Sequence, residues 1–408
     1  MSKTFDIRRR MNGISEAPGK TWFFELAAAV IDADRCVQCG ACVAACPTDS
    51  IGIGRKGLPA LVKMCTGCSL CWDFCPRAGL RYESLWPELA GIDAGQWKLT
   101  GGPGGAGLGQ VRASHTVRVN DAIKGTQDGG FVSALLIALI EGGHIDGALV
   151  ARPSAEEEWK GEAFLARSAD DVVESAGSFY NQTMALAHLD FAGKGLPDKP
   201  RLAVVGTPCE IQGLKALQSR QWTWGKSHPE AIVLTIALLC TKSFDYEGLM
   251  LTELRDKRGI ELGDVARVDI MHGKLLVDSH EGERLVEEPI KDFHGAALKG
   301  CDECADFLGH AADISVGSVG SADDYSSVLV RTEAGEVAFE VVRDRLDVRE
   351  LDNPDALHKL NNLDKKIAFA ALQRPFEPDA PLFMDYEEHV GHYAGTEREP
   401  VWIEGTNA

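Results

Sequence analysis

Eight of the chain's twelve cysteines lie between residues 36 and 75, in two runs of one form, CxxCxxCxxxCP. Each cysteine of the second run (Cys65, Cys68, Cys71, Cys75) stands 29 residues after its counterpart in the first (Cys36, Cys39, Cys42, Cys46), since 65 − 36, 68 − 39, 71 − 42 and 75 − 46 agree. A fixed period with identical spacing is an internal duplication. It restricts the fold strongly, because three thiolates two residues apart can each take one corner of a cubane. The fourth lies beyond reach of that cluster and crosses to the other. One 4Fe-4S cluster is therefore expected on Cys36, Cys39, Cys42 and Cys75, and a second on Cys65, Cys68, Cys71 and Cys46. Pro47 and Pro76 turn the chain after each run, and residues 50–63, with Gly52, Gly54 and Gly57, alternate like a short strand hairpin. Zinc sites use paired CxxC units rather than a triple followed by Cys-Pro.

The remaining length supports more than this small module: 408 residues correspond to two or three domains. With 42 Lys and Arg against 61 Asp and Glu, the net charge of −19 argues against nucleic acid or an anionic membrane as the main partner. The longest apolar runs, 131–140 and 231–240, are about half of a membrane span, so no transmembrane segment is expected. Arg8, Arg9 and Arg10 look like a twin-arginine export signal, but residues 22–31 carry Glu25 and no cleavage-like site follows. Many cysteines without a secretory signal fit metal or redox chemistry in a reducing compartment, and the chain is expected to be cytoplasmic.

Downstream of the module, residues 101–109 are glycine-rich and contain a GxGxxG match at Gly102 to Gly107. Neither a preceding strand nor a following helix supports dinucleotide binding there, and a linker is the expected role. Beyond it, helical and strand patterns alternate. A helix is expected at Phe131–Glu141, with strands at 145–150, 201–206, 232–239, Val265–Met271, 274–278, 312–316 and 328–332. The fold class expected is an α/β mixed-sheet domain preceded by a small α+β two-cluster ferredoxin-like domain. The divisions are an N-terminal arm (1–30), the cluster domain (31–85), the linker (86–115), the large domain (116–366) and a C-terminal arm (367–408).

Within the large domain, Gly125-Thr-Gln-Asp-Gly-Gly130 opens the apolar helix. Its free N–H groups suit a phosphate or a flavin carbonyl, and a plain helix cap by Asp128 suits the same residues. Gly206-Thr-Pro-Cys209 closes a strand where α/β sheets bind ligands. Of the four remaining cysteines, the Cys301-Asp-Glu-Cys304 pair has ligand spacing. Cys209 and Cys240 read equally well as small buried hydrophobes. His115, His188, His272 and His310 have no ligand spacing and read as structural.

The order of these motifs is specific. Asp-Gly-Gly before a helix, GTPCEIQG, an apolar strand ending in Cys240, CxxCxD, and then ADISVGSVGS resemble the family of coenzyme F420 hydrogenase/dehydrogenase beta subunits, over residues from about 117 to about 366. The resemblance implies an FAD-containing iron–sulfur oxidoreductase that exchanges hydride with coenzyme F420 and single electrons with clusters. It implies that Gln127, Asp128, Gly129, Gly130, Ser178, Tyr180, Thr207 and Pro208 line the FAD. It further implies that Cys209, Cys240, Cys301 and Cys304 hold a third 4Fe-4S cluster. No acid–base side chain is then required, since the flavin carries the hydride chemistry.

The implied route joins F420, FAD, the internal cluster, the two ferredoxin-type clusters and a partner, in either direction. The implied partner is a hydrogenase, formate dehydrogenase or other dehydrogenase subunit in a hetero-oligomer, or soluble ferredoxin. Where similar proteins often read GSKY, this chain has Gly177-Ser-Phe-Tyr180, so Phe179 replaces a cation. Arg220, Lys226, Lys242 and Lys299 lie near the motifs and read either as contacts for the anionic tail of F420 or as solvated surface charges. Two alternatives accompany this reading: a ferredoxin-coupled flavoenzyme acting on another organic substrate, and a non-catalytic electron-relay subunit.

Overall fold

In the cysteine-rich module the backbone repeats as the sequence does. Gln38 and Gly67 take left-handed conformations (φ 53° and 64°), as do Gly40 and Ser69 (φ 80° and 68°), each pair at equivalent positions of the two runs. Gly40 and Ser69 start the short helices α2 (Ala41–Ala44) and α3 (Leu70–Asp73), which follow α1 (Phe23–Leu26) in the chain. Between them runs the antiparallel hairpin β1 (Ile51–Ile53) and β2 (Pro59–Leu61), with Gly52 facing Ala60. The computed structural model describes residues 22–79, 108–218, 225–371 and 376. Of the expected arms, residues 1–21, 372–375 and 377–408 lie outside the described residues, as do most of the expected linker and Arg220, while residues 367–371, expected in the C-terminal arm, belong instead to a helix with Ala368 and Phe369 buried. Residues 22–30, expected in the N-terminal arm, belong instead to the module. Phe23, Leu26, Ala29 and Val30 are buried against Ile51 and Trp72, an apolar stripe that a free arm could not keep from water.

An eight-stranded mixed sheet forms the large domain. Its strands are β3 (Ala113–Val119), β4 (Gly147–Pro153), β5 (Gly161–Ala166), β6 (Leu202–Gly206), β7 (Ile232–Leu238), β11 (Ile314–Gly317), β12 (Ser326–Val330) and β13 (Leu346–Glu350). The spatial order is β13-β3-β12-β11-β7-β6-β4-β5. The four central strands β4, β6, β7 and β11 are parallel and almost continuously apolar, as strands covered on both faces must be; antiparallel strands flank them. A separate antiparallel sheet, β8 (Val265–Met271), β9 (Lys274–Ser279) and β10 (Arg284–Pro289), carries its own core around Phe293 and Leu275.

Helices α4 (Phe131–Glu141) and α7 (Glu333–Val342) cover one face of the large sheet, with Leu135, Leu139, Phe339 and Val342 buried. The other face receives α6 (Pro208–Gln218) and, beyond it, the cysteine module. Val37, Ala41, Ala44, Leu70 and Phe74 share one apolar core with Leu186, Leu202, Ile211 and Leu214. Helix α5 (Ala169–Glu174) follows β5, and helix α8 (Pro354–Ala371) follows β13.

Two positions show why glycine is used. A Cβ on Gly129 would stand 2.2 Å from the Val117 carbonyl oxygen and 2.7 Å from the Ser326 nitrogen. Gly129→Ala is expected to lower stability by about 1–3 kcal/mol in a denaturant titration, because the neighbouring backbone has no room to yield. A Cβ on Gly300 would meet the Arg35 carbonyl oxygen at 2.1 Å, which records how closely the module approaches the loop bearing Cys301.

Candidate functional site: three groups of cysteines and an adjoining cavity

The structure gathers Cys36, Cys39, Cys42 and Cys75, whose thiols act on one another electrostatically, and separately Cys46, Cys65, Cys68 and Cys71. The second group borders a cavity of about 270 Å³, also lined by Thr48, Ser50 and Ile51. Among the described residues no three His, Cys, Asp or Glu side chains close on a single ion. Backbone N–H groups point at the sulfurs in matching ways. Gln38 donates to Cys36 Sγ at 3.4 Å and Gly67, its repeat equivalent, to Cys65 Sγ at 3.3 Å; Ser50 donates to Cys46 Sγ at 3.2 Å. Burial pushes Cys36 up to about 12 and Cys68 up to about 11, so the bare thiols are neutral and ligand binding must displace their protons.

The remaining four cysteines form a third group. Cys304 is pushed up to about 11 by burial, with the Arg77 cation pulling back, and Cys301 adjoins it. Cys240 is raised by burial and then by Cys301 and Cys304. Cys209 is raised by burial and then by Cys39, with Cys304 also contributing, so this group abuts the first. Cys209 reaches its place through local chemistry in Thr207-Pro-Cys-Glu210. Thr207 precedes α6, Pro208 occupies its first turn, and Glu210 Oε2 accepts the Thr207 N–H at 2.9 Å while the Glu210 N–H donates to the Thr207 carbonyl. Thr207 Oγ1 stands 3.2 Å from Cys209 Sγ.

Two arginines bind the module to the Cys301 loop. Arg35 Nε and Nη2 donate to Glu303 Oε1 and Oε2 at 2.9 and 2.7 Å, and Nη1 donates to the Ala29 carbonyl at 2.8 Å. Arg77 Nε donates to the Gly300 carbonyl at 2.7 Å. Lys242, for which a solvated surface charge was one reading, is instead mostly buried and paired with Asp302. Lys226 is exposed and Lys299 half-buried. His310, expected to be structural, holds Asp306 Oδ1 at 2.7 Å two residues beyond Cys304, and Gln212 donates to the other carboxylate oxygen at 2.6 Å. His115 stacks on Phe339 with ring centroids 5.0 Å apart.

A second cavity, of about 260 Å³, is lined by Ser178, Phe179, Tyr180, Trp159, Tyr246 and Val268 among others. Gln127 Nε2 donates to the Val268 carbonyl at 3.0 Å, and Tyr180 Oη donates to Asp269 Oδ1 at 3.4 Å. Burial raises Asp128 to about 6, with Asp269 adding to the rise, so these residues converge beside β8. Gly129 does not join them: its N–H goes to Ser326 Oγ at 3.1 Å. Gly130 (φ 68°) starts α4, and Thr207 and Pro208 lie on the side of the third cysteine group. Phe179 packs over Gly161, whose Cβ position lies 2.7 Å from the Phe179 Cβ.

Sequence reasoning did not single out Arg35, Arg77, Glu303, Gln182 or Ser243. Glu303 lies inside the CxxC pair and Arg35 immediately before Cys36, the one local signal available.

Three family models match the chain. Two describe the coenzyme F420 hydrogenase/dehydrogenase beta subunit, its N-terminal part at residues 114–190 and its C-terminal part at 200–354; the third is a 4Fe-4S dicluster domain at 29–80. A component of the F420H2 dehydrogenase of Methanosarcina mazei is 31% identical, over 83% of this chain and 92% of the relative. The coenzyme F420-dependent sulfite reductase of Methanocaldococcus jannaschii is 31% identical, over 83% of this chain and 50% of the relative. Among solved structures, a chain of the F420-reducing NiFe hydrogenase complex of Methanosarcina barkeri aligns with a TM-score of 0.60 at 27% identity, covering 65% of this chain and 92% of that one. Motif order, mixed-sheet fold and dicluster module agree with these matches, and the chain belongs to the family of coenzyme F420 hydrogenase/dehydrogenase beta subunits, with a 4Fe-4S dicluster domain in front.

Proposed function

We propose that this oxidoreductase is an FAD-containing, three-cluster subunit that passes reducing equivalents between coenzyme F420 and a redox partner in a hetero-oligomer. The observation that carries the reading is continuity: the cavity is walled by Asn181 and Phe244, next in the chain to Gln182 and Ser243, which reach Cys209 and Cys301, while Cys209 lies next to Cys39 and Cys42 next to Cys71. Cys36, Cys39, Cys42 and Cys75 would hold one 4Fe-4S cluster; Cys46, Cys65, Cys68 and Cys71 a second; and Cys209, Cys240, Cys301 and Cys304 a third. FAD would lie with its ring end against Ser178 and Tyr180, and with Gln127, Asp128, Gly130, Thr207 and Pro208 around it; Gly129 would support the loop from beneath. Bound there, a flavin exchanges hydride with F420 and single electrons with cubanes, each of which carries one.

The chain's own residues then have three tasks. The N–H groups of Gln38, Ser50 and Gly67 offset negative charge on the ligating sulfurs. The core of Val37, Leu70, Phe74 and Leu186 buries Cys39 and Cys209. Asn181 clamps the cavity wall, its side chain bonding the N–H and carbonyl of Gly161 at 2.8 and 2.9 Å.

Anaerobic purification with iron and flavin counting tests this reading. About twelve irons and one FAD per chain are expected, with loss of cluster absorbance on adding reduced F420. The same cofactors without bleaching would favour a second reading, a different organic substrate, for which the packing of Phe179 over Gly161 is the specific observation. Absence of flavin would overturn both in favour of a non-catalytic relay.

A further inference from the structure

One side chain touches a member of the third cysteine group and, through a hydroxyl, the environment of two others. Gln182 is buried, 8% exposed, and its Nε2 reaches Ser243 Oγ at 2.8 Å, Thr207 Oγ1 at 3.1 Å and Cys209 Sγ at 3.8 Å. One amide hydrogen serves Ser243, and the other is shared by the Thr207 and Cys209 acceptors. With its oxygen accepting from Gln182, the Ser243 hydroxyl keeps its own hydrogen for Cys240 Sγ at 3.9 Å. The Ser243 backbone N–H points at Cys301 Sγ at 3.5 Å. Three of the four sulfurs therefore receive donors from one network, through Gln182, Thr207 and Ser243.

The network is also held from outside. Gln182 continues the segment whose Ser178 and Tyr180 line the second cavity. That segment is clamped to β5 by Asn181 and to the Cys240 side by the bond from the Phe244 N–H to the Tyr180 carbonyl at 2.8 Å. With the bond from Asn181 Nδ2 to the Gln182 carbonyl at 3.1 Å, those contacts fix the backbone from which the Gln182 amide is aimed.

We propose that Gln182 and Ser243 are positioning residues that set the reduction potential of the cluster held by Cys209, Cys240, Cys301 and Cys304, and do so from the segment that walls the cavity. The proposal rests on the three-cluster reading above. Its physical basis is direct: reduction adds one negative charge to a buried cluster, and N–H and O–H donors on its sulfurs favour the more negative state. Removing them lowers the potential.

The test is a dye-mediated redox titration of the full chain followed by electron paramagnetic resonance, with iron counted on each sample. Gln182→Leu should keep about twelve irons and shift one of three potentials downward by about a tenfold change in the reduction equilibrium, or roughly 59 mV for one electron. Ser243→Ala, which keeps the backbone donor to Cys301, should give a smaller shift of the same sign in the same cluster. Gln182→Asn should restore part of the shift if its amide reaches either acceptor. Full iron with all three potentials unmoved overturns the inference and leaves the three-cluster reading standing. About eight irons in the unaltered chain overturns that reading and this inference with it. If Gln182→Leu itself loses iron, Ser243→Ala decides: an unmoved potential there overturns the tuning role.

Discussion

Arg35→Ala is expected to lower the unfolding free energy by about 3–5 kcal/mol, the usual penalty for breaking a buried ion pair from one side. Both partners are almost fully buried, at 1% and 4% side-chain exposure, and the pairing is a two-bond fork. Removing the guanidinium leaves the Glu303 carboxylate in a place where water cannot replace it. The loss should be visible as a lowered midpoint in urea, read by circular dichroism on the anaerobic protein. Arg35→Met with Glu303→Met should recover most of it, because removing both charges leaves no desolvated ion. A single-variant loss below about 1 kcal/mol would mean that solvent reaches the pair.

The second large effect concerns metal content. Cys304→Ser should remove about four irons from the expected twelve while leaving FAD bound. Cys304 is the neighbour common to Cys209, Cys240 and Cys301, and the other two groups share no cysteine with it. Iron assay and the flavin absorbance of the same sample check both halves. Unchanged iron would remove Cys304 from the ligands, whereas loss of all twelve irons would mean that the dicluster module depends on an intact third group.

The legible part of the fold was the part whose causes are local. The cysteine spacing marked a repeat because cluster geometry acts over two or three residues, and the same spacing reappears as paired left-handed residues. The central strands were readable as apolar runs; Ile232–Leu238 is one residue shorter than expected. The strands Ala113–Val119 and Leu346–Glu350 were missed because His115, Arg118, Asp347 and Arg349 interrupt their patterns. Their pairing at the antiparallel flank of the sheet tolerates such side chains. The site divides in the same way. Glu303 meets Arg35 across 268 residues, and Gln182 meets Ser243 across 61, contacts that no short window contains. Gly129 has a packing reason that the sequence did not show: close approach to β3 and β12 requires a glycine there.

The shared core between the cysteine module and α6 has a consequence for portability. A free-standing ferredoxin of the same motif would present solvated side chains where Val37, Ala41 and Phe74 meet Leu186 and Leu214 here, and its backbone would lack the seat in which Gly300 nearly touches Arg35. Grafting another dicluster unit onto this chain would therefore require recutting both faces of that contact. By the same logic the two halves are packed as one unit, in which a side chain altered near Cys36 bears directly on the loop at Cys301, 265 positions away in the chain and adjacent in space.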